Sequence, residues 1–320
     1  TANLKEAEVI KLSNICNFKA DHVTPLKQEA SGREYWRVSD KEHSFVLCYL
    51  NPKNGNHLDF IRITNSLKEN GINAVNIIHH NDQEGVTLQE DLGDNDLLSI
   101  LNKDNKNQLI EKSIDLLIQI QNADISEINP FEENDLIKQM NLFKDVFLKN
   151  FLNIEMDSLI DDLILLTIDK LKNHPWKNCH FDFERRNLIL NKDKTITAID
   201  YQDMRLGPIG IDMAGILIDH YYPLDKDSVR SFLNYFSNKT NLKYSEEDLF
   251  EFLRYGCLQR NMRILGTLAN LYLIHNRSYR LKDLPMIFLN FVSMIPEDLE
   301  IKAHIQDKVQ NILSKKILEI

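Results

Sequence analysis

The chain is poor in the residues that announce redox or metal chemistry by pattern. Its 320 residues include four cysteines, Cys16, Cys48, Cys179 and Cys257. They are too scattered for a CxxC metal pair, suit a reducing compartment, and read as small buried hydrophobes. No apolar run approaches the roughly 18 to 20 residues that a membrane-spanning helix needs. The opening TANLKEAEVIKLSN has neither the basic region nor the apolar core of a signal peptide. The expected location is the cytoplasm, away from the membrane. Surplus positive charge is lacking too, since 38 Lys+Arg against 48 Asp+Glu leave a net charge of −10. That balance argues against nonspecific nucleic-acid or anionic-membrane binding, but permits a small anionic ligand in a locally positive cleft. Neither an internal repeat nor a low-complexity linker interrupts the chain.

What is present is the composition of a folded globular protein, with 43% hydrophobic and 27% charged residues. The length suits one large domain or two lobes. EVIKLSNIC has helical spacing, while Glu34 to Val38 and His43 to Leu50 read as strands separated by the turn SDKEH. PKNGN at 52 to 56 is a turn; Phe60, Ile63 and Leu67 recur at helical intervals before the helix stop Gly71; GVTLQEDLGD at 85 to 94 is a strand running into a polar connection. From about Leu97 the period changes from two to 3.6, in LIEKSIDLLIQIQ, DLIKQMNLFKDVFLKNFL and MDSLIDDLILLTIDKL. LIL at 188 to 190 and TITAID at 195 to 200 form a later strand pair around a turn at 191 to 194, and helices resume near Asp212. The pattern predicts a small strand-rich lobe over residues 1–92 and a larger helical lobe over 93–320.

The segment NCHFDFERRNLIL, residues 178 to 190, carries the chemistry. Asp182 and Asn187 stand five apart just before an apolar strand, and the next strand delivers Asp200 at its end. A hairpin can bring Asn187 and Asp200 to one rim, with Asp182 in the preceding loop. Such a trio suits transfer of a phosphoryl group from a magnesium-bound nucleotide. Mg2+ prefers hard oxygen ligands, here one amide and one carboxylate, Asn187 and Asp200. A separate carboxylate, Asp182, orients the acceptor hydroxyl and receives its proton. His180 reads as a structural hydrogen-bonding residue of the loop. Asp203 is open between ligand contact and local capping.

HFDFERRN resembles the HxDxxxxN catalytic loop of the aminoglycoside/choline phosphotransferase superfamily. The resemblance implies an α+β, protein-kinase-like bilobal fold with a small N-terminal sheet lobe and a larger, mainly helical C-terminal lobe. It puts the catalytic Asp on Asp182 and the metal ligands on Asn187 and on Asp200 of AIDYQD. Asp212 of GPIGIDMAG resembles the structural Asp that begins a C-lobe helix and binds the loop backbone. SGREYWRV, LQEDLGD, LFKDVFLKNFL, IDYQDMRLGPIGIDMAG and LQRNMRILGTLANLYLIHNRSYRLKDLP occur in the order seen in bacterial N-acetylmuramate/N-acetylglucosamine anomeric kinases. That resemblance, over nearly the whole chain, implies ATP-dependent phosphorylation of the C1 hydroxyl of an amino sugar in cell-wall sugar recycling.

The same resemblance assigns Ala30, Ser31, Gly32 and Arg33 to the turn that covers the phosphates, where glycine exposes backbone amides, and Gln89 to Leu92 to the adenine hinge, with Glu90 marking the position. One residue of the wider superfamily is missing: the third strand reads SFVLCYL, without the phosphate-binding lysine. The anomeric kinases resemble this chain in lacking it. Arg33, Arg37 and Lys53 are the candidate replacements, Arg33 first, and neither Asp59 nor Glu69 is a secure helix carboxylate. For the sugar, Gln259, Arg260 and Arg263 of LQRNMRILG are the candidates, with 259 and 263 able to share a helix face; internal salt bridging is the competing role. Tyr221 and Tyr222 compete between a sugar-stacking wall and an ordinary core edge. Two other functions stand beside this one. A choline, ethanolamine or other small-alcohol kinase would need an aromatic cage, for which Tyr221, Tyr222 and Trp176 are a thin supply. A noncatalytic nucleotide-sensing scaffold would not need Asp182, Asn187 and Asp200 together. No basic tract suggests nucleic acid, and the sequence names no protein partner.

Overall fold

Trp36 and Val38 lie two apart in a run of aromatic and branched side chains, the spacing that puts alternate residues on one strand face. Both are buried in the computed structural model of the chain, which describes residues 3–26, 32–241 and 243–320. Helix α1 (Glu6–Ile15) leads into strands β1 (His22–Pro25), β2 (Glu34–Ser39) and β3 (Ser44–Tyr49), helix α2 (Leu58–Glu69), and strands β4 (Ile77–Asn81) and β5 (Val86–Glu90). Helices α3 (Leu97–Ile100), α4 (Lys106–Asn122) and α5 (Glu133–Leu142) follow, then a π-helix (Phe143–Phe151) and α6 (Asp157–Lys172). Four short strands, β6 (Trp176–Cys179), β7 (Leu188–Leu190), β8 (Ile196–Ala198) and β9 (Arg205–Pro208), precede α7 (Ile209–Leu217), α8 (Lys226–Lys239), α9 (Glu246–His275), α10 (Leu284–Met294) and α11 (Ile301–Leu318).

These elements form two compact units. The first comprises Thr1–Asp96, Ala123–Ser126 and Asn187–Asp203. Its five-stranded antiparallel sheet has the order β1-β2-β3-β5-β4, with Trp36 opposite Leu47 and Leu47 opposite Leu88. Val9 and Leu12 of α1 pack on the face made by Trp36, Val38, Leu47, Val86 and Leu88. The unit also holds the β7–β8 hairpin, in register Leu188 to Ala198. Its turn is set locally, since the Asn191 N–H donates to the Thr195 carbonyl at 2.8 Å and Lys194 takes a left-handed φ of 71°.

The second unit comprises Leu97–Asn122, Glu127–Arg186 and Met204–Ile320. It is mainly helical and is organised on α9, a 30-residue helix whose N-terminus is closed by a capping box between Ser245 and Asp248. Phe143, Phe147 and Phe151, four apart along the π-helix, are all buried beside it. Where α7 crosses α9 the backbones nearly touch: a Cβ at Gly256 would lie 2.1 Å from the Gly210 carbonyl carbon, and one at Gly210 would lie 1.8 Å from the Phe252 oxygen. Only paired glycines permit that approach. β6 and β9 form a short ladder with Asn178 opposite Leu206.

A small sheet-rich lobe and a larger helical one make the α+β, kinase-like fold that the motifs implied. No helix among the described residues is long and apolar enough to cross a membrane.

Candidate active site

The loop after β6 is fastened to α7 through a buried carboxylate. Asp212, 1% exposed, accepts the backbone N–H groups of His180 at 2.7 Å and Phe181 at 2.8 Å. Burial raises its carboxyl above the ordinary carboxylate range, against the opposing pull of His180 and the two N–H donors. Between these contacts and Asp182 the chain turns through a left-handed Phe181, φ 72°. Such a backbone persists in a bulky residue only where its surroundings over-determine it, and here the Asp212 bonds and packing on Phe131, 4.9 Å between ring centroids, do so. The buried His180 accepts the Asp182 N–H on Nδ1 at 3.1 Å, the structural role expected of it. Arg263 of α9 donates from Nη2 to Asp182 Oδ1 at 3.0 Å and to the Phe181 carbonyl at 3.1 Å. Burial works against the Arg263 charge, but the Asp182 carboxylate outweighs it and the guanidinium is held more firmly protonated than usual.

In the first unit, the β7–β8 ladder continues one step beyond its strands, because the Ile199 N–H donates to the Asn187 carbonyl at 2.8 Å. Asn187 and Asp200 therefore flank the same end of the hairpin. Asp200 has a left-handed φ of 59°, a conformation that Asp tolerates better than bulkier residues, and Gln202 donates to its Oδ1. The next residue, Tyr201, is buried; its hydroxyl shares a 2.6 Å hydrogen bond with Thr64 of α2, and its ring stacks on Phe60 at 5.5 Å. Asp203 is exposed. One amide and one carboxylate oxygen are hard donors of the kind Mg2+ takes together with phosphate and water. Among the described residues no group of three or more His, Cys, Asp and Glu side chains is placed to hold a metal, so a cation here would depend on a donor set that includes the amide.

Of the phosphate-turn residues, Ala30 and Ser31 lie outside the described residues. Gly32 has φ 83°, and among the described residues no atom lies within 4 Å of where a Cβ would stand; Arg33 reaches the Asn56 carbonyl at 3.5 Å. Glu90 accepts the Asn76 N–H at 2.8 Å, so its side chain braces β4 against β5. In the lysine-free β3, Leu47 and Cys48 are buried. Arg37 is committed to Asp91, at 2.7 and 3.0 Å, and to Asp94 at 2.9 Å. Lys53 and Glu69 are exposed, and Asp59 pairs with Arg62 at 3.1 Å. All four cysteines are buried thiols outside any disulfide, and burial pushes the Cys257 thiol up to about 12.

On α9 the three sugar candidates part company. Gln259 is fully buried and donates to Gln139 of α5 at 2.8 Å, whereas Arg260 and Arg263, three apart, both reach the 181–184 loop. Arg260 pairs with Glu184, which also holds Arg186 at 2.6 Å. Burial would raise the Glu184 carboxyl, but Arg260, Arg186 and Arg280 overcome it and hold it down to about 2. These groups line a small cavity of about 20 Å³, room for one or two polar atoms, together with Arg185, Asp219, His220 and Tyr221. Tyr221 donates to Asp283 and Tyr222 binds Asp219 through its backbone N–H at 2.6 Å; Trp176 donates to the Leu171 carbonyl at 2.9 Å. Sequence reading passed over Glu184, Arg185 and Arg280. The doubled arginine of FERRN, directly after Asp182, was the available signal.

Comparison with known proteins gives relatives, fold neighbours and a family for the chain. Over 280 residues, 84% of this chain and 82% of the relative, the chain is 26% identical to an N-acetylmuramate/N-acetylglucosamine kinase of Pseudomonas putida. A kinase of the same description from Neisseria meningitidis serogroup B is 22% identical over 285 residues, 83% of each chain. Among solved structures, a spectinomycin phosphotransferase in complex with ADP and spectinomycin superposes with a TM-score of 0.67, covering 98% of this chain and 99% of that one at 13% identity. A choline kinase from Streptococcus pneumoniae superposes with a TM-score of 0.65, covering 90% and 99% at 15% identity. The family model described as the phosphotransferase enzyme family matches residues 22–243, and the chain belongs to that family.

Proposed function

We propose that the chain is an ATP-dependent kinase that phosphorylates the C1 hydroxyl of N-acetylmuramate or N-acetylglucosamine, in cell-wall sugar recycling in the cytoplasm. The observation that carries the phosphoryl-transfer reading is the loop from His180 to Asn187, whose backbone is bound to buried Asp212 and whose Asp182 is held by Arg263. Asp182 orients the acceptor hydroxyl and takes its proton as the oxygen attacks the γ-phosphoryl group. Asn187 and Asp200 would hold Mg2+, which neutralises phosphate charge when bound with the nucleotide. Ser31, Gly32 and Arg33 are the residues assigned to covering the phosphates, and the backbone at Glu90 to meeting adenine. Gln259, Arg260 and Arg263 were the sequence candidates for the sugar; their contacts favour Arg260 and Arg263 for that role and leave Gln259 to fix α9 against α5.

The acceptor is supported by the two relatives that match more than four-fifths of the chain. Choline is disfavoured by the arginine-lined cavity, since guanidinium groups repel a quaternary ammonium, and Tyr221 is engaged by Asp283. The test is an ATP-dependent acceptor screen with mass detection over N-acetylmuramate, N-acetylglucosamine, other hexoses and choline, followed by phosphorus and carbon NMR of the product. A sugar 1-phosphate is expected. A 6-phosphate would refute anomeric transfer, and turnover of choline alone would refute the sugar.

A further inference from the structure

The cavity in the helical unit is lined by guanidiniums whose hydrogen bonding is incomplete. Arg185, 1% exposed, donates from Nη1 to Asp219 at 3.2 Å and to the Tyr222 carbonyl at 2.7 Å. Its Nε and Nη2 have no hydrogen-bond partner among the described residues, and the same holds for Nε of Arg260, 5% exposed, and Nε of Arg280. Native proteins rarely leave buried donors unsatisfied, and charged ones least of all. Burial lowers the Arg185 pKa, with Asp219 only partly compensating, so that guanidinium gains from any further anion.

Among the described residues that line the cavity, with Asp283 beside them, the charges are unbalanced by one. Arg185, Arg186, Arg260 and Arg280 face Glu184, Asp219 and, beside Arg280 at 3.6 Å, Asp283; four positive charges meet three negative. His220, 3.5 Å from Asp283, Tyr221, Asn261 and Asn290 complete the polar wall and supply no further anion. A surplus of one matches a monoanion better than a phosphate dianion, and planar guanidinium forks match a planar carboxylate.

We propose that this cavity is a carboxylate subsite, in which Arg185, Arg260 and Arg280 take the acid group of an acidic amino sugar. The proposal rests on the kinase reading above and adds what distinguishes one acceptor from another. Its position follows from two adjacent ion pairs. Asp182 pairs with Arg263 and Glu184 with Arg260. Two residues of chain span at most about 7 Å, and three residues along α9 rise about 4.5 Å. A sugar whose hydroxyl meets Asp182 therefore needs only a short acidic arm to enter the cavity. N-acetylmuramate carries such an arm, a lactyl ether ending in a carboxylate, and N-acetylglucosamine does not.

Calorimetric titration of the full chain without nucleotide tests this, using N-acetylmuramate, N-acetylglucosamine and inorganic phosphate as probes on the wild type, Arg280→Met and Arg280→Lys. The wild type is expected to bind the acidic sugar at least about tenfold tighter than the neutral one, the scale of a charge-assisted bidentate contact. Arg280→Met should reduce that ratio to within about twofold, and Arg280→Lys should keep part of it. The Arg280 side chain is 18% exposed, and if the methionine variant fails to fold, the lysine variant decides by whether the ratio falls. Equal binding of the two sugars by the wild type, a ratio unchanged in the variants, or phosphate outcompeting the acidic sugar would each overturn the subsite. Preferential binding of the acid with no sugar phosphate formed from ATP would overturn the kinase reading and leave the subsite standing. Phosphorylation of both sugars with no binding preference would do the reverse.

Discussion

Replacing Asp212 with asparagine keeps the side chain's size and removes one of its two acceptors. In the wild type both carboxylate oxygens receive backbone N–H groups, from His180 at 2.7 Å and Phe181 at 2.8 Å, in a site 1% exposed. The asparagine oxygen serves one of them, and the amide NH2 faces the other donor. A buried N–H left unsatisfied costs about 1–3 kcal/mol; burial of the Asp212 charge outweighs what its hydrogen bonds return, so their charge-assisted part adds nothing net at neutral pH. The expected loss there is about 1–3 kcal/mol, and Asp212→Ala, which orphans both donors, should lose more. Because Asp182 follows the anchored pair directly, loosening the anchor should lower kcat by about tenfold or more, given that misplacement by about 1 Å can cost about 10²-fold. Urea unfolding and single-turnover transfer on the same preparations measure both effects. The pH trend is a further check. The folded-state pKa of Asp212 is raised, so its contribution to stability is full below the unfolded value of about 3.9 and is lost as pH rises through the folded pKa. The gap between wild type and Asp212→Asn must therefore narrow from acid toward neutral pH. Stability within about 0.5 kcal/mol of wild type, with normal turnover, would refute the anchoring argument.

Asp182→Asn removes proton acceptance at nearly constant size; acceptor-dependent transfer should fall roughly 10²-fold or more while folding and ATP binding persist, and near-normal transfer would remove Asp182 from the base role. Gly256→Ala drives a Cβ to 2.1 Å from the Gly210 carbonyl carbon, so α7 and α9 must separate; a loss of about 3 kcal/mol is expected in urea unfolding, and an unchanged midpoint would contradict the close crossing. Glu184, with its folded pKa lowered from 4.5 to about 2, contributes stability that is present above pH 4.5 and lost as pH falls toward 2. That window corresponds to about 3 kcal/mol, and Glu184→Gln should flatten acid unfolding there; parallel curves for the two proteins would count against the arginine clamp.

The parts of this molecule legible in the sequence are those written in local periods and short motifs. β2, β3, β5, α1, α2 and the β7–β8 hairpin lie where alternation, helical spacing and turn residues put them. β1 and β4 are the two edges of the sheet; β1 is mostly exposed and contains Pro25, and IIHHN of β4 offers only partial burial, so neither presents a buried stripe to read. The π-helix keeps the apolar spacing of an α-helix and is invisible for that reason. Asp212 was readable from its motif, and so was the hydrogen-bonding role of His180. The arginine cavity was not, because Arg185 and Arg280 are nearly a hundred residues apart, and their convergence depends on how α7, α9 and the 182–186 loop pack. That Asn187–Asp203 groups with the sheet-rich unit is likewise a matter of long-range packing.

The crossing of α7 and α9 bears on how this protein opens. With backbone set against backbone at Gly210 and Gly256 there is no layer of side chains to act as a lubricant, so the two helices cannot slide past each other by rotamer changes. The His180 and Phe181 amides, bonded to Asp212 on one of these helices, are tied to the same block. In native-state hydrogen exchange they should open with the crossing as a single cooperative unit near the global unfolding free energy, and not with the surface loops. On the acceptor reading proposed above, that block would serve as a prebuilt template, and a change of acceptor preference would fall to side chains around it such as Arg185 and Arg260.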